Sequence, residues 1–276
     1  MKFRDQNIGK GSSLLADQKH FDKDSFMIEN MDSNLAYLSY IENNDINNES
    51  EKLKILKNFQ NKYRNYRENW KSVEKKISEG NFDDLILKPQ CIDIETASIC
   101  DLACPHCYRE YIVTPDKIMK KELYEKIIKE ISEMEVPSIK LNWRGEPLLN
   151  PSIDKFIYLA KKKGILDVSI NTNATTLDEK KSIKILESGL DQIIFSFDGG
   201  SKKTYEKMRP GRFKNNKFDD VYKNIKNFCE LKKKLGKVFP ITKIQMVMTK
   251  SSRPEAKSFF QLFADIIDIV VLTQYQ

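Results

Sequence analysis

Three cysteines fall within eight residues, in the run Cys100-Asp-Leu-Ala-Cys104-Pro-His106-Cys107-Tyr108. The spacing C-x3-C-x2-C puts three soft thiolates on one short loop. Thiolates so placed can ligate three irons of a cluster and leave a fourth iron without a protein ligand. An iron with an open position can bind an outside molecule, so it is a site for chemistry. A structural zinc site asks for four ligands, commonly as two separated pairs. Here the remaining cysteines, Cys91 and Cys229, form no second pair, and His106 adjoins Cys107 too closely for both to reach one tetrahedral ion. A disulfide framework fits poorly as well, because five cysteines are odd in number and the chain opens without the apolar core of a signal peptide.

The elements that must position this loop can be read around it. From residue 91 the chain alternates short β-rich runs with helical stretches. The runs are Ile92–Glu95, Ile139–Trp143, Asp167–Asn171, Gln192–Phe197, Ile241–Met248 and Ile267–Leu272. Helices are expected near 118–134, 151–163, 177–188, 218–235 and 254–264. Asn150-Pro151 opens one helix, and Gly164, Gly189 and Gly236 close others. Six strands joined by crossover helices mean a parallel sheet, because parallel neighbours need long connections. Cys229 shares a helix face with Val221, Ile225 and Phe228, so it reads as core; Cys91, entering the first strand at the end of the sheet away from the triplet, reads as packing.

Residues 1–88 read differently. The first 30 are polar and weakly patterned, as in an arm, and Asn43 to Ser50 is an Asn-rich connector. Then Phe59, Tyr63, Tyr66, Trp70, Val73 and Ile77 recur at steps of three and four, along one helix face, with Lys62, Arg64, Arg67 and Lys71 on the opposite face. Such a stripe reads as a helix packed on a neighbouring domain.

With 276 residues, 40% hydrophobic and 32% charged, the chain has the composition of an ordinary soluble globular protein. No apolar run approaches the ~20 residues of a membrane helix. A reducing cytoplasm is the setting expected for an exposed cluster. The formal charge of +7 is spread over Lys-rich helix faces such as Lys161–Lys163 and Lys232–Lys234, which argues for solvated surface and against nucleic acid. It permits an anionic substrate.

In parallel α/β proteins function gathers where strands end. The cysteine loop follows the first strand. The second ends in Trp143-Arg144-Gly145-Glu146-Pro147, the third in Asn171-Thr172-Asn173-Ala174, and the fourth in Ser196-Phe197-Asp198-Gly199-Gly200. Polar groups and glycines therefore gather at one end of the sheet.

These runs, from about residue 88 onward, resemble the radical S-adenosylmethionine (radical SAM) enzymes, in particular the core of the group that carries a C-terminal extension for auxiliary clusters (the SPASM/twitch type). The family motif Gly-Gly-Glu-Pro stands here as Arg144-Gly145-Glu146-Pro147, and the segment Asp198 to Arg209 is similar to the stretch after the family's fourth strand. The resemblance implies a partial TIM-type (β/α)6 barrel over 89–276, with a helical, partly irregular N-terminal appendage over 1–88. It implies a 4Fe–4S cluster on Cys100, Cys104 and Cys107, and S-adenosyl-L-methionine chelated at the fourth iron. Glu146, preceded by Gly145, is expected to meet the ligand's ammonium group. Asn173 and Ser196 are assigned to its ribose or carboxylate, Arg209 to its carboxylate, and His106 and Tyr108 to its adenine. Asp198 is assigned as a general base or ribose partner. The implied partners are a small electron donor such as a flavodoxin or ferredoxin, and a peptide, protein or sugar-derived substrate. The chain departs from the pattern at Arg144, at His106, where the family usually has an aromatic residue, and at its end, where no cysteine-rich extension follows Gln276. The rival readings are a truncated module that binds cluster and ligand but is catalytically silent, and an electron-transfer iron–sulfur protein.

Overall fold

The computed structural model describes residues 13–14, 26–27, 51–81, 88–112 and 115–274. Six parallel strands lie side by side in chain order: β3 (Cys91–Asp93), β4 (Ser138–Lys140), β5 (Asp167–Thr172), β6 (Gln192–Ser196), β7 (Ile241–Met248) and β8 (Ile269–Gln274). Two short strands continue the sheet beyond β8: β1 (Ser13–Leu14) runs antiparallel to it and β2 (Phe26–Met27) parallel. An order without reversal means that every crossover winds the same way, as in a barrel; a doubly wound sheet would reverse. The ring stays open, with β3 at one end of the strand order. This is the α/β partial barrel expected from the sequence.

The helices follow their strands: α2 (Lys121–Glu133), α3 (Ile153–Lys162), α4 (Glu179–Glu187), α5 (Lys202–Met208), α6 (Phe218–Lys234) and α7 (Ala256–Phe263). Gly164, Gly189 and Gly236 all take the left-handed conformation that ends a helix. The short α5 is absent from the sequence reading; Ser201 caps it by accepting from the Thr204 amide. The first two strands are shorter than expected, although the pairing trails on through Ile94 to Lys140 and Leu141 to Ser169.

Period-two alternation divides the strand side chains into two sets. Val168, Ile170, Ile193, Phe195, Ile244, Met246, Val270 and Leu272 point to the helices and form the main core, with Cys229 buried among them as expected. The alternate set faces the lumen and is largely polar: Asp93, Lys140, Ser169, Asn171, Ser196, Gln245.

A 28-residue helix, α1 (Glu51–Ser78), crosses the N-terminal ends of the strands. Its Phe59, Tyr63 and Tyr66 form a second cluster with Val238, Ile241, Ile269 and Val271, joined by Trp70. Tyr66 also reaches Ser138 and Asp167 at the starts of β4 and β5. The aromatic stripe therefore packs on the barrel, but Arg67 does not sit on a solvated face. It is 3% exposed, its guanidinium 4.6 Å from the Trp70 ring and 5.4 Å from that of Tyr66. Cation–π contact and the length of the side chain let it fold under the stripe. The readings of the first 30 residues and of 43–50 fall, but for β1 and β2, outside the described residues. No helix among the described residues is long and apolar enough to cross a membrane.

Candidate active site

The cysteine loop is pinned from three later strand ends. Asp101, between the first two cysteines, is the hub. It accepts from Asn173 Nδ2 at 2.8 Å and from the Thr175 hydroxyl, both beyond β5, while its carbonyl accepts from the Arg212 amide at 2.8 Å. The Ala103 amide donates to Pro210 O at 2.9 Å, and Leu102 bridges Gly211. From beyond β4, the Glu146 amide donates to Ile99 O at 2.8 Å. A Cβ on Gly145 would run into the carbonyl oxygens of Ala97 and Ile99. That glycine is needed for the chain's own close approach to the cysteine segment. Asp101 was not singled out in the sequence; its only signal was its place inside the triplet.

Cys104 is buried, and Cys100 and Cys107 are half-buried. Burial pushes the Cys100 thiol up to about 12, helped by the nearby Glu146 carboxylate. Cys104 rises to about 11, again by burial, with Arg209 pulling the other way. Both thiols are therefore neutral unless a strong positive charge enters, and a metal deprotonates a coordinating thiol outright. Among the described residues no three His, Cys, Asp or Glu side chains converge as ligands of a single metal ion. A cluster, in contrast, spreads its cysteine ligands over separate irons.

Glu146 is 3% exposed, and its carboxylate is consumed within the protein. It accepts from the Leu148 amide (2.9 Å), the Thr172 hydroxyl (2.7 Å) and the Asn173 amide (2.7 Å). Burial raises its carboxyl to about 7 against those three bonds. Its side chain thus ties the β4 end to the β5 end. Asn173 is committed likewise: beside its bond to Asp101 it lies 3.9 Å from Cys100 Sγ, and its Oδ1 accepts from Thr175.

Asp198 is fully buried after β6. Arg209 Nη2 lies 2.7 Å and His106 Nε2 3.1 Å from its Oδ2, and Oδ1 accepts from the Val247 amide at 2.7 Å. Burial opposes its ionisation, yet Arg209 and His106 outweigh burial and hold the carboxyl below the usual range. The carboxylate thus lies between two cationic side chains at Oδ2 and the Val247 amide at Oδ1. The Arg209 Nε is buried with no partner among the described residues. An orphaned cationic donor with Cys104 in its field is what an anionic group at this site would satisfy. Ser196 is half-buried at the end of β6, and Tyr108 is exposed with its ring centroid 6.1 Å from that of Trp143.

Arg144 fills the family's glycine position by turning away. It holds Glu95 with Nε at 2.9 Å and Nη2 at 2.6 Å, and stacks 4.5 Å over Trp143. The donor set and the orphaned Arg209 fit the iron–sulfur cluster and S-adenosylmethionine.

Known proteins give the same picture. Relatives include proteins named "Probable GTP 3',8-cyclase" from Pyrococcus horikoshii, 33% identical over 151 residues (55% of this chain, 44% of the relative), and from Methanothermobacter marburgensis, 33% identical over 112 residues (41% and 36%). The chain thus spans less than half the length of these curated relatives. Among solved structures, Streptococcus suis SuiB bound to S-adenosylmethionine aligns over 98% of this chain and 64% of that one, with TM-score 0.57 and 18% identity. The anSMEcpe enzyme with bound AdoMet aligns over 67% and 51%, with TM-score 0.56 and 20% identity. The model of the Radical SAM superfamily, whose members use a 4Fe–4S cluster and S-adenosylmethionine, matches residues 94–251. The chain belongs to the radical SAM superfamily.

Proposed function

We propose that this chain cleaves S-adenosylmethionine reductively and uses the product to abstract hydrogen from a polar, sugar-derived substrate. The observation that carries this reading is the cysteine triplet held between the three strand ends, with the unpartnered Arg209 Nε in the field of Cys104. Cys100, Cys104 and Cys107 would hold the cluster. When bound, it supplies the electron that splits the carbon–sulfur bond of S-adenosylmethionine into methionine and a 5′-deoxyadenosyl radical.

The chain's own residues bind and orient. Arg209, anchored by Asp198, offers a charge-assisted donor to the ligand's carboxylate, and Ser196 offers a hydroxyl from the end of β6. Tyr108 and His106 flank Cys107 for the adenine. Glu146 acts by holding the backbone of 144–146 against the cysteine loop, so backbone carbonyls of that turn can meet the ammonium group. Residues 89–276 would form the core domain and 1–88 a helical appendage. A polar lumen and relatives named for a nucleotide cyclase favour a nucleotide-like substrate over the peptide alternative. The electron would come from a flavodoxin or ferredoxin.

The test is anaerobic. The protein reconstituted with iron and sulfide is reduced with dithionite, given S-adenosylmethionine, and assayed for 5′-deoxyadenosine by mass spectrometry. Product is expected, and absent when all three cysteines are alanine. A loaded cluster without product overturns the reading in favour of a silent binding module.

A further inference from the structure

Lys181 stands in the first turn of α4, where Asp178 caps the helix by accepting from its amide at 2.7 Å. The positive end of a helix favours acids over lysines. This lysine is half-buried, and its ammonium group has left the helix end for another partner. Nζ donates to Leu148 O at 2.9 Å, 33 residues earlier in the chain, and to the Thr176 hydroxyl oxygen at 3.0 Å. Burial lowers its pKa, while the Asp178, Glu146 and Asp101 carboxylates pull it up. A cavity of about 110 Å³ flanks the side chain, lined also by Asn150, Asp154, Asp178 and Lys184. That space leaves the chain room to move, so the two hydrogen bonds, rather than close packing, hold the ammonium group.

Leu148 belongs to the one-turn helix Pro147–Leu149 that follows Glu146. Its amide donates to Glu146 Oε1 at 2.9 Å and its carbonyl accepts from Lys181, so both of its backbone polar groups are clamped. At the start of the same turn, Gly145 lies against the carbonyls of Ala97 and Ile99, and the Glu146 amide donates to Ile99 O. The segment 145–148 is thus held at its start by the approach to the cysteine loop and at its end by α4. Thr176 adds a third party, because it lies in the loop whose Asn173 and Thr175 hold Asp101. One cation therefore ties the turn to that loop, through charge-assisted bonds that exceed neutral ones in strength.

We propose that Lys181 is a positioning residue for S-adenosylmethionine, acting through Leu148 on the backbone of 145–148. The inference rests on the radical SAM reading, in which carbonyls of that turn meet the ligand's ammonium group. Lys181 bonds Leu148 and Thr176, so its effect on the ligand passes through the turn. The ammonium group lies away from the carbon–sulfur bond that breaks, and the turn binds it alike before and during cleavage. Loosening the turn therefore removes uniform binding, which raises KM and leaves kcat in place.

S-adenosylmethionine is titrated calorimetrically into the reconstituted protein, and 5′-deoxyadenosine formation with dithionite is followed against its concentration. Lys181→Met keeps the aliphatic stem and removes charge and donors. It is expected to raise Kd and KM about tenfold, or about 1.4 kcal/mol, with kcat, cluster absorbance and circular dichroism at the wild-type level. Lys181→Arg restores a cationic donor to Leu148 O and is expected to recover most of the affinity. Thr176→Val removes the other partner of Nζ and is expected to bind as wild type. Unchanged affinity in Lys181→Met, or a fall in kcat at constant KM, overturns the proposal. So does an arginine variant as weak as the methionine one, or a Thr176→Val protein as weak as either. A Lys181→Met protein that loses its cluster or its circular dichroism assigns the lysine to folding, and equally overturns it. Binding is read without turnover: a wild-type protein that binds S-adenosylmethionine but forms no 5′-deoxyadenosine sinks the catalytic reading, while the isotherms still decide Lys181.

Discussion

At Asp198 a carboxylate without solvent is kept ionised by one guanidinium, one imidazole and one amide. Replacing one partner of such a buried pair leaves the other charge stranded, at a cost of about 3–5 kcal/mol. Asp198→Asn is therefore expected to lower stability of the cluster-free protein by that order, measured by urea denaturation; a change within experimental error would show that Arg209 finds its counter-charge elsewhere. Glu146→Gln tests the other buried carboxylate. One acceptor oxygen becomes an NH2 facing the Asn173 amide or the Thr172 hydroxyl and Leu148 amide, which loosens the turn at 144–146. S-adenosylmethionine affinity is expected to fall about tenfold by calorimetry, with the cluster absorbance retained. The residue types at this site were legible in the sequence, because thiolates at fixed spacing admit few alternatives. Their division of labour was not. Glu146, Asn173 and Asp198 read as contacts to ligand, and each also makes hydrogen bonds inside the protein; pairings such as Glu146–Asn173 across 27 residues of sequence and Asn173–Asp101 across 72 leave no periodic trace. Asp101 was hidden for the same reason.

Among the elements, α1 is the one whose packing the pattern foretold and whose location it did not. Steps of three and four lined Phe59, Tyr63 and Tyr66 on one face, but nothing in that spacing says that the face meets the starts of β7 and β8. Tyr63 is fully buried there, stacked 5.5 Å from Phe59. Removing a buried aromatic costs about 3–5 kcal/mol, so Tyr63→Ala is expected to lower the urea midpoint by a matching amount. A change within ±0.5 kcal/mol, as for ordinary surface substitutions, would mean that α1 contributes little to the fold. The strands and helices from β3 onward were legible through their alternation and their glycine stops. Strand ends were less so, because pairing there is decided by loops such as 94–99 that pack on neighbouring turns.

For the molecule as a whole, buried charge sets a pH dependence. Asp191 bonds Lys161 at 2.7 Å and the Val168 amide at 2.8 Å, tying α3 to β5 and β6, yet burial lifts its carboxyl from 3.8 to about 7. The folded state therefore holds this proton where the unfolded chain has lost it. The stabilisation is full below about pH 4 and disappears as pH rises to about 7. Stability of the cluster-free protein is expected to decline across that interval, and Asp191→Asn to flatten the decline; an unchanged slope would assign it to other groups.

Among the described residues β3 pairs on one side only, with β4, so the ring of strands around the polar lumen does not close. A closed hoop accepts only an object small enough to drop in, or one with a free end to feed through. A split hoop can be clipped sideways onto a cord at any point along it. Among the described residues, the open side beside β3 therefore imposes no need for a free end on what enters the lumen.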